Sequence, residues 1–342
     1  MRRVKTFAAG LLTSMLLLSA CSAEKSSNEA GKKGKAEKIT IAQSSSSLLF
    51  TPIYVAQEKG FFKEEGLDVE VTIAGGSTNV LSAVVGGGAE VGATGLSVVM
   101  DVNSKGQDVQ AFASLINQYA SNVVIRKDVA QKLGVTEDSS IDEKIKALKG
   151  LSIGITQPGG GSDRLVRHLL KTQNLNPDKD ATIVPLGKAE AILPAFTNNQ
   201  IQAFVFSSPT SEQAITSDEG ILLLNLSKGE IKELDGFTHS TLLTKKDFIK
   251  KNPETIQKMT NAIAKAEKFI SENKEEAKEV VRKSFDKLDK VTFDAAFENN
   301  FEAFARTPVI TKSGYEMNVQ FEGVNAPFEK VVNNEFAEKS IQ

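Results

Sequence analysis

The sequence predicts an α/β protein of two similarly built lobes, each a doubly wound sheet with helices on both faces. Three observations predict it. Strand, glycine- or serine-rich loop and helix alternate three times between residues 38 and 106. The same alternation returns between residues 151 and 209. The chain has 342 residues, too many for one small core and about right for two.

The β-branched run at residues 38–42 (KITIA) predicts the first strand, and residues 43–49 (QSSSSLL) a polar serine loop. Thr51-Pro52 fits an N-cap followed by a first-turn proline, and that helix runs to a stop at Gly60. Residues 61–66 add one turn, and residues 67–73 (LDVEVTI) alternate as a strand. Gly75-Gly76-Ser77 leads into a second helix over 79–85, ended by Gly86-Gly87-Gly88. Residues 91–93 (VGA) are a short buried strand, and Thr94-Gly95-Leu96-Ser97 opens a third helix that ends near Lys105-Gly106.

In the second half, residues 151–156 (LSIGIT), 182–186 (TIVPL) and 201–206 (IQAFVF) predict strands. They are followed by a helix over 163–171, a helix over 189–197 and a helix start after Ser207-Ser208-Pro209. Residues 81–95 and 193–208 share one layout of helix, turn, buried strand and small polar residues, an architectural likeness rather than a sequence repeat. Residues 121–126 (SNVVIR) and 237–243 (FTHSTLL) read as strands in segments that cross between the lobes. Lobe 1 is then residues 38–121 plus 244–342, and lobe 2 is residues 122–243 with the crossing strands.

The tail is helical. Asn252-Pro253-Glu254 starts a long helix with Ile256, Met259, Ile263, Ala266 and Ile270 at spacings of three and four. Further helices fall around 275–287 and 292–304, the last with Phe297, Phe301 and Phe304 on one face, a stripe that reads as core.

Residues 1–20 read as a secretory leader. Arg2, Arg3 and Lys5 make the positive start, Leu11, Leu12, Met15, Leu16, Leu17 and Leu18 the apolar middle, and Ser19 and Ala20 are small residues at the cut. The apolar run is short for a membrane span. The segment Leu18-Ser19-Ala20-Cys21 resembles the bacterial lipobox, whose cysteine is lipidated and begins the mature chain. Residues 21–37 would then be a lipidated Cys21 and a flexible linker, because 22–37 are Ser, Gly, Lys and Glu with almost nothing to bury. Cys21 is the only cysteine, so a disulfide framework, a thiolate metal site and a cysteine nucleophile are excluded. Removing the leader's three positive residues takes the formal charge from −2 to near −5, which gives no argument for nucleic-acid binding.

Three stretches carry a family resemblance: residues 51–71 (TPIYVAQEKGFFKEEGLDVEV), 74–95 (AGGSTNVLSAVVGGGAEVGATG) and, more loosely, 158–170 (PGGGSDRLVRHLL). They are similar to the periplasmic-type solute-binding proteins of ABC importers, within the group that binds aliphatic sulfonates, taurine, nitrate or thiamine-precursor pyrimidines. The resemblance covers roughly residues 39–243 and extends to the tail only in its helical character. It implies a bilobal periplasmic-binding-protein type II fold hinged at the crossing strands, a small-molecule ligand in the cleft, no cofactor, and an ABC permease with its ATPase as partners.

Capture of a small anion needs donors pointing at one spot, and helix N-termini supply them. Helix starts at strand ends occur at Ser44–Ser47 before Pro52, at Ser77-Thr78-Asn79, at Thr94-Gly95, at Gly159–Ser162 and at Ser207-Ser208. In the family the cleft is lined from such positions. The resemblance therefore points to Ser45, Ser46, Ser77, Thr94, Gly95, Gly160 and Ser162 as ligand contacts, although capping uses the same atoms. Asn117 and Gln118 could offer amides to the cleft or lie in a solvated loop, and Arg164 could reach an anion or belong to a solvated basic face. His168 and His239 have no partners at metal-ligand spacing and read as structural.

The glycine triplets at 86–88 and 159–161 are not phosphate loops, since neither is followed by Lys-Ser or Lys-Thr. A serine-rich chain without Trp and with three Tyr leans toward a sulfonate over a stacked pyrimidine. The expected function is thus an extracytoplasmic, lipid-anchored binding protein that captures an aliphatic sulfonate or taurine. A thiamine-precursor pyrimidine or nitrate is the alternative ligand. The family's pyrimidine-synthesising enzymes carry a cysteine-rich motif that this chain lacks, so an enzyme is not expected. A surface sensor that has lost transport stays open.

Overall fold

The computed structural model describes residues 36–324 and 326–342. The leader, Cys21 and all but the last two residues of the expected linker lie outside them. The first half begins with β1 (Glu37–Gln43), one residue inside the stretch read as linker, and continues through α1 (Thr51–Glu58), α2 (Phe61–Glu64), β2 (Leu67–Ile73), α3 (Ser77–Gly86), β3 (Val91–Gly95), α4 (Leu96–Ser104) and β4 (Val109–Ile116). The chain then builds β5 (Asn122–Arg126), α5 (Lys127–Leu133), α6 (Ile141–Lys146), β6 (Ser152–Ile155), α7 (Gly161–Thr172), β7 (Thr182–Pro185), α8 (Ile192–Thr197), β8 (Ala203–Phe206), α9 (Thr210–Thr216) and β9 (Gly220–Leu224). It returns with β10 (Ser240–Lys245) and the tail helices α10 (Lys246–Lys251), α11 (Pro253–Glu272), α12 (Lys274–Arg282), α13 (Lys290–Asn300) and α14 (Lys312–Glu322).

Two five-stranded sheets result, in the orders β2-β1-β3-β10-β4 and β7-β6-β8-β5-β9. In each, three strands run parallel, as strand–helix units require. In each, a strand arriving from the other lobe inserts antiparallel in the fourth place: β10 between β3 and β4, and β5 between β8 and β9. The sheets are therefore mixed, because the crossing strands enter from the opposite side. The strand expected over 237–243 runs later, from Ser240 to Lys245, and belongs to the first sheet.

Thr51 is the first residue of α1 rather than its cap. A 3-10 turn at Leu48–Phe50, capped by Ser47, precedes it, and Thr51 Oγ1 donates to the Leu48 carbonyl. The phenylalanine stripe is core: Phe293, Phe297 and Phe304 are buried, and the ring of half-buried Phe301 lies 6.1 Å from that of Phe297. Burial of side chains this size contributes roughly 1.5–3 kcal/mol each.

One glycine sets the geometry of the first lobe's cleft edge. A Cβ on Gly92 would lie 2.7 Å from Val80 Cγ1 and 3.1 Å from Val84 Cγ2. Its absence lets α3 press onto β3, which brings the start of α3 against the end of β3. Helix α14 ties the lobes. Tyr315 packs in the cluster with Val99 and Leu243 of lobe 1, while Met317 and Phe321 pack against the cluster that holds Val123 and Leu169 of lobe 2.

Candidate functional site

A cavity of about 90 Å³ lies between the lobes, at the carboxyl ends of the parallel strands. Three helices start at it. Helices α3, α4 and α7 begin after Gly76, Gly95 and Gly160, and none of these N-caps offers a side-chain hydrogen bond to the first turn. Glycine caps leave first-turn amides available to something else, and each helix adds partial positive charge there. The Leu96 amide of α4 donates to the His239 carbonyl.

Hydroxyls fill the space between these helix starts. Thr94 Oγ1 donates to Ser77 Oγ at 2.8 Å, the contact that the close approach at Gly92 permits. Ser162 Oγ accepts from the Thr156 amide at 3.3 Å. Ser45 is buried on the loop after β1, and its carbonyl accepts from Gln43 Nε2 at 2.6 Å. The same Gln43 nitrogen donates to the Tyr54 hydroxyl at 2.5 Å, so a tyrosine on α1 anchors the serine loop. Burial pushes the Tyr54 phenol up to about 12, which keeps it a neutral hydroxyl.

Ser240, first residue of β10, also lines the cavity. It is 1% exposed, and its hydroxyl has no hydrogen-bond partner among the described residues. A buried hydroxyl without a partner costs roughly 1–3 kcal/mol, and an occupant of the cavity would remove that cost.

The two crossing segments supply the aromatic wall. Tyr119 donates to the Gly161 carbonyl at 2.9 Å and stacks on His239. The Ala120 amide donates to His239 Nδ1 at 2.8 Å, which places the imidazole proton on Nε2. Burial lowers the His239 pKa to about 4, so the ring is neutral at pH 7. Among the described residues, no Asp, Glu, Lys or Arg lines the cavity.

Of the residues expected from the sequence, Ser45, Ser77, Thr94, Gly95 and Ser162 come together at this cavity. Ser46 does not: it faces a separate outer cleft. Gly160 does not line it either. Its missing side chain would point at the Gln157 carbonyl, 3.2 Å away, and Gly161 lines the cavity instead. Asn117 and Gln118 are structural: Asn117 Oδ1 accepts from Ser114 Oγ, and Gln118 bridges the Leu226 carbonyl and the Gly236 amide. Arg164 donates from Nε to the Gly159 carbonyl at 2.8 Å, and His168 packs against Phe321. Ser240, His239 and Tyr54 had no distinguishing sequence signal, because the crossing segments and α1 set their positions.

The lobes touch beside the cavity. Ser47 Oγ lies 2.8 Å from Ser207 Oγ and donates to the Ser208 carbonyl at 2.9 Å. Gln157 of lobe 2 covers Gly76 of lobe 1, whose φ of 148° and lack of Cβ allow the amide to approach. Among the described residues, no group of three or more His, Cys, Asp or Glu could hold a metal ion, and no helix is long and apolar enough to cross a membrane.

The family model described as NMT1/THI5 like matches residues 48–277, more than half of the chain. The protein belongs to the NMT1/THI5 like family. It is 25% identical over 313 residues to the putative binding protein YtlA of Bacillus subtilis, covering 88% of this chain and 89% of that one. It is 28% identical to the nitrate/nitrite binding protein NrtA of Nostoc over 66% of this chain and 52% of that protein. It is 25% identical to the yeast 4-amino-5-hydroxymethyl-2-methylpyrimidine phosphate synthase THI13 over 64% of this chain and 62% of that enzyme. The chain thus spans less than two thirds of the length of the last two. A solved structure from Bordetella bronchiseptica superimposes with a TM-score of 0.75 at 26% identity, covering 90% of this chain and 97% of that one. The periplasmic aliphatic sulphonate binding protein SsuA of Escherichia coli superimposes with a TM-score of 0.63 at 17% identity, over 86% and 92% of the two chains. That likeness shows the fold, the bilobal periplasmic-binding-protein architecture.

Proposed function

We propose that this protein is the extracytoplasmic substrate-binding component of an ABC importer, anchored through a lipid on Cys21, and that it captures a small organic anion between its lobes. The observation that carries the reading is the buried, unpartnered Ser240 hydroxyl in a cavity where three glycine-capped helices begin. Such a cavity offers several neutral donors and, among the described residues, no cation, which suits a delocalised anion that exchanges water for hydrogen bonds. An alkanesulfonate fits best. Taurine would also bring an ammonium, and no carboxylate of the described residues lines the cavity to receive it.

Capture rather than catalysis is supported by the same residues. The cavity's histidine is neutral and its Nδ1 is engaged by the Ala120 amide, so no base is poised on a nucleophile. The relatives with binding-protein names agree with capture. A thiamine-precursor pyrimidine is the second reading, favoured by Phe50, Phe206 and Phe237 in the cavity wall.

The test is a thermal-shift panel of alkanesulfonates, nitrate, taurine and aminopyrimidines on the purified protein. At a hundredfold excess over Kd, the true ligand stabilises by about 2.7 kcal/mol. A shift with a sulfonate supports the proposal. A shift with the pyrimidine alone, or with none, refutes it.

A further inference from the structure

Phe206, at the end of β8, lines the inner cavity, a side recess beside Gly75 and Gly76, and a larger outer cleft. The outer cleft measures about 670 Å³ against about 90 Å³ for the inner cavity. The serine loop straddles the same partition, with Ser45 facing inward and Ser46 outward. Resting on the reading of the inner cavity as an anion site, we propose that the outer cleft is a second subsite that takes the apolar tail of the ligand, with the Phe206 ring dividing head from tail.

The chemistry of the two chambers differs in the way this division requires. Hydroxyls and helix starts converge on the inner one. The outer one, which also carries Ser46, Thr210, Gln213 and Ser284, has an apolar floor of Leu193, Pro194, Phe285 and Leu288, and among the described residues no long helix starts at it. That floor is held from behind, since Phe285 is buried and its ring stands edge-on to Tyr54 at 5.5 Å. Tyr54 is the residue that anchors the serine loop, so one side chain fixes both chambers. Charges in the outer cleft belong to the exposed residues Glu190, Asp286 and Lys287. Two carboxylates against one ammonium disfavour an anionic head there and leave the apolar floor for a chain of methylenes. Lobe 2 supplies Leu193 and Pro194 and the first lobe supplies Phe285 and Leu288, so a tail lying between them buries surface from both lobes.

Titration calorimetry of the full chain with ethane-, butane-, hexane- and octanesulfonate tests this. Beyond butanesulfonate, each added methylene tightens Kd about fourfold. Leu193→Asn and, independently, Leu288→Asn, which add polarity without charge, flatten that series while leaving the ethanesulfonate Kd within about twofold, an internal check that each variant is folded. A series that is flat in the wild-type protein, or equally steep in both variants, overturns the subsite while leaving the inner anion site standing. Failure of every sulfonate to bind overturns the inner site and the subsite together.

Discussion

The rings of Tyr119 and His239 stack with centroids 4.6 Å apart and planes 21° from parallel. They stand on the two different segments that cross between the lobes, and the Ala120 amide donates to His239 Nδ1 across the same junction. The junction of the two crossing segments is therefore a packed aromatic pair with its polar edge satisfied, and it forms one wall of the cavity.

Protonation of His239 would break that arrangement. Burial holds its pKa near 4, whereas the unfolded chain titrates near 6.5. Between those values the unfolded state binds a proton that the folded state does not, so stability is full above pH 6.5 and falls as pH drops toward 4. The loss from this residue is roughly 3 kcal/mol. Urea unfolding from pH 7.5 to 4 measures it. His239→Asn, which keeps an acceptor for the Ala120 amide, flattens that part of the profile. An unchanged slope in the variant would assign the acid sensitivity elsewhere.

Glu267 titrates in the opposite sense. It lies on α11, wholly buried between the core residues Ile263 and Ile270, and neither carboxylate oxygen has a partner among the described residues. Desolvation raises its pKa well above 4.5, so the folded state keeps a proton that the unfolded chain releases. This contribution is present below pH 4.5 and is lost as pH rises toward the folded-state pKa. Glu267→Met is expected to raise stability more at pH 7.5 than at pH 4, where the unfolded chain no longer gains by releasing the proton. Equal effects at both pH values would contradict a protonated carboxyl in the fold.

Asp163 positions the glycine loop at the start of α7. One oxygen accepts from the Gly159 amide at 2.8 Å and the other from Arg167 Nε at 2.9 Å. Asp163→Ala should cost roughly 1.5–3 kcal/mol of stability and weaken ligand binding about tenfold. Asp163→Asn, which retains an acceptor for Gly159, should recover most of the affinity. Binding that survives Asp163→Ala intact would show that the loop needs no clamp.

Local chemistry made much of the fold legible. The alternating run 67–73 and the proline and glycine boundaries marked β2, α1 and α11. Much of the cavity was legible too, because small residues at helix starts serve both turning and ligand access: five of the seven expected contacts line it. Ser46 and Gly160 miss it by one residue, and periodicity does not specify which way a loop residue faces. Other elements passed unread. Strand β4 is buried along its whole length and lacks alternation. Helix α6 carried a readable signal, the Ser140–Glu143 capping box, but little apolar periodicity. Helix α14 takes its role from packing on both lobes, which no local pattern encodes.

Capture in the cavity requires that the buried Ser240 hydroxyl bond to the ligand. Ser240→Ala tests this, since it removes an unsatisfied group from the empty protein and a hydrogen bond from the complex. Calorimetry of wild type and variant with the tightest-binding alkanesulfonate, alongside unfolding of the unliganded proteins, is the direct measurement. The expected result is an unliganded variant at least as stable as wild type with Kd weakened roughly tenfold, about 1.4 kcal/mol. An unchanged Kd, or a variant destabilised without any loss of binding, would contradict it.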